Sequence, residues 1–279
     1  MKRDKRSSLP REIIRYYELG READRLSSAE GELELFRTQE IIRRYLPGSP
    51  SVILDIGGGP GTHACWLAKE GYEVHLVDPV PLHLEQAKRA SDRQPETPIA
   101  SLGHGDGRHL AFPAECADVV LLLGPLYHLA ERRDRMSVMR EACRVLKNGG
   151  TVIAVGISRF ASTLSGLIDG FFQDPGFIEV AKRDLVDGQH RNPTGKASYF
   201  TTSFFHHPLE LESEVKEAGF SVERTLAVEG AAVFLQDLEE HWKDSTRREI
   251  ILDTVRWLED EPSVLGVTGH LMVIGRKPA

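Results

Sequence analysis

The 279-residue chain is poor in cysteine, in aromatic side chains and in long apolar runs. Its three cysteines, Cys65, Cys116 and Cys143, form no CxxC pair and leave an odd count. That argues against a disulfide framework and points to buried thiols in a reducing compartment. No stretch approaches the ~20 apolar residues of a membrane span. The basic start MKRDKRSSLP, a run expected to be solvated, is not followed by an apolar stretch of signal-peptide length. These absences predict a cytoplasmic protein with no membrane partner. Internal repeats and low-complexity tracts are missing too. Positive charge is outweighed, because 35 Lys and Arg face 42 Asp and Glu, for a net charge of −7. Such a balance argues against a protein that tracks a nucleic-acid backbone. What is there is an ordinary globular composition, 41% hydrophobic and 28% charged, long enough to bury a core without staples.

From Leu54 to Leu146 short β-rich runs alternate with longer helical patterns, as a parallel sheet of βαβ units requires. The apolar run Val52 to Ile56 stops at glycines, and residues 61–71 then read as a helix. Residues 73–77 read as a strand, 82–89 as a helix, 99–102 as a weaker strand and 118–123 as a strand buried on both faces. Met136, Met139, Cys143 and Leu146 recur at helical spacing, and Asn148-Gly149-Gly150 is expected to cap that helix before a strand at 151–157. The rhythm breaks over residues 158–208, which hold seven of the eleven phenylalanines. A helix at 208–218, a strand at 221–228, a helix near 247–259 and a strand at 267–274 follow. The first 46 residues read as helical and polar-amphipathic.

The sharpest feature is Leu54-Asp55-Ile56-Gly57-Gly58-Gly59-Pro60-Gly61, which closes the first strand and opens the first helix of this unit. Glycines here permit positive φ and let a ligand approach the backbone, and the helix start behind them offers unpaired N–H groups. Asp78 closes the second strand, where nucleotide-binding folds place an acid on ribose hydroxyls. Two ligands compete. A nicotinamide dinucleotide prefers G-x-G-x-x-G, but the sixth position from Gly57 is Thr62. Asp55 would repel a pyrophosphate, yet it can help to hold an ammonium group. S-adenosylmethionine carries an amino acid end, a sulfonium and an adenosine but no phosphate, and it suits this acidic mouth.

On these residues the sequence resembles the class I S-adenosylmethionine-dependent methyltransferases of the small-molecule type. The resemblance runs from roughly Tyr16 to Lys277 and is strongest from Val52 to Ala154. The family's D-x-G-x-G-x-G turn is matched by Asp55, Gly57, Gly59 and Gly61, and its ribose-binding acid by Asp78, with Pro79 beside it. Its acid near the adenine is matched by Asp106, flanked by Gly107 and Arg108, and Leu123 at the end of the fourth strand is counted with the cofactor site. Arg140 to Gly150 looks like the family's helix before strand five. Gly58, where cysteine or serine is frequent, departs from the pattern. Tyr16-Tyr17 with Arg25-Leu26 resembles an amino-terminal segment that folds over the cofactor, which implies Tyr17 over the methionine end and Arg25 paired with its carboxylate.

The resemblance implies an α/β, Rossmann-like fold with a seven-stranded, mostly parallel sheet, a C-terminal antiparallel hairpin and a helical lid. Residues 1–46 and an insert at about 158–208 are expected to form that lid on a methyltransferase domain at 47–279. The implied cofactor is S-adenosylmethionine, and the implied partner is a small, partly apolar molecule methylated at O, N, C or S. The rivals are an NAD(P)-dependent oxidoreductase and a non-catalytic S-adenosylmethionine-binding protein.

Methyl transfer is an in-line displacement on a carbon already activated by sulfur, so orientation can supply about 7–11 kcal/mol and no residue type is obligatory. Sites in open α/β sheets lie beyond the carboxyl ends of the strands. The candidates there are Tyr127 and His128 after strand four, Arg159 after strand five, and His190 and His206 in the aromatic insert. For each, a packing, capping or ion-pair role stands beside the catalytic one. His206-His207 has no i,i+4 histidine or acid motif to complete a metal site, so none is expected.

Overall fold

The β-branched and leucine-rich runs of the first half pair as parallel strands. β1 (Val52–Ile56) lies between β2 (Glu73–Asp78) and β4 (Ala117–Leu122). β3 (Ser101–His104) extends the sheet beyond β2, and β5 (Leu146–Ser158) beyond β4. Helices α3 (Thr62–Lys69), α4 (Pro81–Asp92) and α5 (Arg132–Val145) make the crossovers. Ile53, Leu54 and Val119 to Leu122 are wholly buried, because helices cover both faces of the sheet. In this computed structural model residues 10–18, 20 and 25–279 are described, and the basic KRDKR run lies outside them.

The C-terminal part closes the sheet in the opposite sense. β9 (His270–Arg276) runs antiparallel along β5 from Thr151 to Ile157, and β8 (Ser221–Ala227) pairs antiparallel with β9. Between β8 and β9 lie α9 (Leu238–Lys243) and α10 (Ser245–Leu258). This is the mostly parallel, Rossmann-like architecture with the antiparallel ending that was expected. Leu211 and Val215 of α8 (Pro208–Glu217) join α5 on one face of the sheet. On the other face α3 and α4 meet Ile41 and Ile42 of α2 (Ala29–Tyr45).

Two sequence expectations need correction. The sheet has nine strands among the described residues rather than seven. The aromatic insert ends in two short strands, β6 (Gln189–His190) and β7 (Ser203–His206). β7 runs parallel to β5 at Ile157 and Ser158, past the point where β4 stops at Ala154. Phe204 and Phe205 are buried there, so part of the insert belongs to the sheet itself. The rest of it, α6 (Ala161–Ile168) and α7 (Pro175–Asp187), has a small core of its own around Phe177 and Tyr199.

The second correction concerns Asn148-Gly149-Gly150, which does not cap α5. That helix ends at Val145, and Leu146 is already paired with Ala117. The partner of Val119 is Thr151, so residues 147–150 bulge from the strand, with Gly149 at φ +76°.

The amino-terminal helix α1 (Arg11–Glu18) packs Ile13 and Tyr17 against Val80 at the start of α4. α2 begins at Ser28, whose hydroxyl accepts the Gly31 N–H. No described helix is long and apolar enough to cross a membrane. The three cysteines are unpaired.

Candidate active site

The chain turns between β1 and α3 with Gly57 at φ +71° and Gly59 at φ +57°, a region side chains rarely adopt. A Cβ on Gly59 would meet no atom within 4 Å, so this part of the backbone borders open space. A Cβ on Gly58 would lie 2.6 Å from Asp55 Oδ2. The chain's departure from cysteine or serine at that position therefore has a local steric cause.

Two adjoining clefts open at the carboxyl ends of the strands. The first, about 700 Å³, is bordered by Tyr17, Asp78, Pro79, His83, Asp106, Gly107 and His128. The second, about 650 Å³, is bordered by Arg25, Leu26, Glu34, Asp55, His63, Leu123, Val155 and His270. Gly57, Gly59, Gly124 and Tyr127 belong to both, so the glycine turn is their common wall.

Asp55 is the anomaly of this wall. Both of its carboxylate oxygens are buried and lack a hydrogen-bond partner among the described residues. Burial, followed by the charge of Asp78, pushes its carboxyl up to about 7. A buried carboxyl without a donor is costly, and the ammonium of an amino acid ligand is a group that would satisfy it. Asp78 is better served, since Oδ2 accepts the Gly59 N–H at 2.9 Å. Its Oδ1 accepts the Val80 N–H at 2.8 Å and the His83 Nδ1–H at 3.1 Å. A carboxylate has about four acceptor positions, which leaves room for a ligand hydroxyl. His83 Nε2, buried and without a partner among the described residues, belongs to the same cleft. Sequence reading missed His83, because a lone histidine one turn into a helix carries no motif. The residues present therefore fit a nucleoside joined to an amino acid.

The remaining predicted residues divide. Asp106 borders the first cleft with its carboxylate gripped by Arg108, at 2.9 Å from Nε and 2.6 Å from Nη2. Arg108 itself turns away from that cleft to Asp134. Tyr17 and Arg25 lie in different clefts rather than over one end of a ligand, and Arg25 makes a two-point ion pair with Glu34. Gly61 is the N-cap of α3 and lies behind the wall. Tyr127 stands on the shared wall. His128 borders the first cleft, but its Nε2 is taken by the Tyr17 hydroxyl. Burial lowers its pKa to about 3, so it is a weak proton acceptor.

Arg159, His190 and His206 border neither cleft, which corrects their placement at the acceptor. The Arg159 guanidinium is held by Glu210 and the Phe205 carbonyl. His190 bonds Asp184 and the Tyr199 carbonyl, each at 2.8 Å, and stacks on Phe205. His206 is fully buried beside Glu214. All three are polar packing residues of the insert and its junction with the sheet.

The structure adds a group that the sequence did not single out. His270, the first residue of β9, places Nδ1 2.6 Å from Glu229 Oε1 and 3.9 Å from Glu34 Oε2. Burial works against charge on this imidazole, but Glu34 and Glu229 raise its pKa to about 9. The same contact works in reverse on Glu34. Burial alone would raise its pKa, yet His270 and Arg25 draw it down to about 2.

The strand order, the glycine turn and the paired clefts define an open α/β domain built to hold a nucleoside-bearing ligand at its carboxyl edge. Residues 54–154 match the family model described as "Methyltransferase domain". The chain carries a methyltransferase domain over those residues and is an S-adenosylmethionine-dependent methyltransferase, with S-adenosylmethionine as its cofactor. The chain is 24% identical over 230 residues to the tRNA 5-carboxymethoxyuridine methyltransferase of Escherichia coli O157:H7, covering 81% of this chain and 80% of that one. It is 29% identical over 191 residues to the ubiquinone biosynthesis O-methyltransferase of Azorhizobium caulinodans, covering 68% and 65% of the two chains. A solved methyltransferase from Thermotoga maritima, described as a possible histamine N-methyltransferase, shares the fold. Its TM-score is 0.58 at 19% identity, with 95% of this chain and 99% of that one covered. The nicotinamide and non-catalytic alternatives do not stand beside this assignment.

Proposed function

We propose that the protein methylates a small, partly apolar molecule, with the cofactor's adenosine in the first cleft and its amino acid end in the second, beside the acceptor. The observation that carries this reading is the buried Asp55 carboxyl, which borders the second cleft beside the glycine turn and has no hydrogen-bond partner among the described residues. Bound there, S-adenosylmethionine supplies a methyl carbon activated by its positive sulfur. Asp55 answers the ammonium group, Gly57 and Gly59 let the backbone approach, and Gly61 lets α3 pack closely on Ala87 of α4. Asp78 and His83 face the sugar, and Asp106, Gly107 and Pro79 border the base. Arg25 stands at the amino acid end and Leu123 near the sulfur. Tyr127, on the shared wall, positions the acceptor. α1, α2 and the aromatic insert serve as the lid, a role supported by Tyr17 on the first cleft.

Leu26, Leu123 and Val155 support an acceptor with an apolar body. The name of the Escherichia coli relative brings tRNA into consideration as an acceptor. The net charge of −7 speaks for a small molecule instead, since RNA demands a basic track. A cytoplasmic location accords with this reading. Calorimetry against S-adenosylmethionine, S-adenosylhomocysteine and NADH tests the cofactor. Labelled methyl groups should then pass into the low-molecular-weight fraction of a cell extract. Label appearing in bulk tRNA instead overturns the small acceptor, and tight NADH binding without the sulfonium ligand overturns the whole reading.

A further inference from the structure

The second cleft has a polar end that the cofactor assignment does not use. His270 lies where β9 begins, beside the carboxyl end of β5, and its side chain is 20% exposed. One edge of the ring is fixed, because Nδ1 donates to Glu229 Oε1. Glu229 is itself held, since its Oε2 accepts the Thr268 hydroxyl at 2.8 Å and the His270 N–H at 2.9 Å. The opposite edge, Nε2, has no hydrogen-bond partner among the described residues, and the ring borders the cleft.

Glu34, Glu229 and His270 could be taken for a metal site, because one ligand atom from each lies within 4.8 Å of the others. The hydrogen bonds speak against it. Both Glu34 oxygens meet the Arg25 guanidinium, at 2.5 and 3.0 Å. Glu229 spends its oxygens on Thr268 and His270, and a metal would have to displace the proton between Glu229 and Nδ1. The charges also pair off. Arg25 answers Glu34 and His270 answers Glu229, with Glu34 as a second acid near the ring and His63 uncharged because burial lowers its pKa to about 4. What is left over is one N–H of a charged ring on a cleft that Leu26, Leu123 and Val155 also line.

The geometry points to His270 Nε2 as the anchor for an anionic oxygen of the methyl acceptor, with Glu229 as the residue that orients the ring. The acceptor is then an oxygen acid with an apolar body, a carboxylic acid or an acidic phenol. This rests on the function proposed above and narrows its substrate class. A charge-assisted bond to a carboxylate is stronger than one to a neutral carbonyl, and it persists only while the imidazole keeps its second proton. Glu34, Glu229 and Arg25 set that proton's affinity, and the ring holds it up to about pH 9.

The test uses benzoate as the probe and benzamide as its neutral isostere, on the full chain with and without S-adenosylhomocysteine. Binding is read from the ring-nitrogen resonances of labelled histidine. Benzoate should shift the His270 signal and bind about tenfold more tightly than benzamide, a difference of ~1.4 kcal/mol. The preference should fade as pH rises through about 9. His270→Gln should erase the preference while leaving the S-adenosylhomocysteine Kd unchanged. Glu229→Gln should keep the ring but move the pH at which the preference fades downward, which loss of packing alone would not do. Equal binding of the two probes, an unmoved His270 signal, or a preference that survives His270→Gln overturns the proposal. So does a His270 signal that responds to Mg²⁺ or Zn²⁺ and not to benzoate. A protein that ignores S-adenosylhomocysteine refutes the cofactor placement instead, and the measurement without it still decides the role of His270.

Discussion

The Tyr17 hydroxyl on α1 is hydrogen-bonded to Nε2 of His128, 2.5 Å away in the turn after β4, and so ties the amino-terminal helix across the first cleft. The Tyr17 ring also meets the His83 ring edge to face at 5.0 Å. Tyr17→Phe keeps that packing but leaves a buried histidine nitrogen without its partner, at a cost of about 1–3 kcal/mol. Amide exchange in α1 should quicken while β1 and β4 stay protected. Unchanged protection of α1 would show that the bond does not hold the helix down.

Asp55 should make cofactor binding depend on pH. Its folded pKa, about 7, lies above the ordinary 3.8. The stability that goes with its neutral form is therefore complete below about 3.8 and is lost as pH rises through about 7. An ammonium placed against it favours the carboxylate, so binding below about 7 must release a proton. Calorimetry in buffers of different ionisation enthalpy should detect that release, and affinity should climb as pH rises towards 7. Asp55→Asn should flatten both. Binding that is proton-neutral throughout this range removes the ammonium from Asp55.

What the sequence made legible follows from the range of the forces involved. The glycine turn, Asp55 and Asp78 are required by a local backbone geometry, and central strands such as β4 must be apolar on both faces. Each of these features is written within a few residues of sequence. The roles of His206 and His270 depend on partners brought from elsewhere. His206 meets Glu214 from α8, which is itself paired with Arg135 from α5, and His270 meets Glu34 from α2. A lone histidine in a sequence records none of this, so one was placed at the acceptor and the other passed unnoticed. β6 and β7 are too short to show a period, and only the burial of Phe204 and Phe205 in the fold reveals them as strands.

Asp78 serves two purposes, and its removal should show both. Asp78→Ala deletes the acceptor for the Gly59 and Val80 amides as well as the one assigned to the sugar. S-adenosylhomocysteine binding should weaken by roughly 1.5–3 kcal/mol, the scale of hydrogen bonds to a charged group. The Tm of the unliganded protein should fall as well, because the glycine turn loses its tether. A folded mutant with an unchanged Kd would show that the sugar lies elsewhere.

The group around His206 should prove structural. Arg135 is buried, with Nη2 2.7 Å and Nε 2.9 Å from the Glu214 carboxylate, and its guanidinium lies 3.5 Å over the Phe204 ring. Arg135→Leu leaves Glu214 in the interior without its cation, which costs about 3–5 kcal/mol. Burial alone would raise the pKa of Glu214, but His206 and Arg135 draw it down to about 2 from the ordinary 4.5. The stability this contributes is present above about 4.5 and is lost as pH falls through about 2. Urea unfolding should therefore show the Arg135→Leu deficit at neutral pH and a smaller one in acid, where the wild type has lost the same contribution. His206→Gln should lower stability and leave the Kd for S-adenosylhomocysteine unchanged. A His206 variant of full stability that no longer binds the cofactor would return this histidine to the active site.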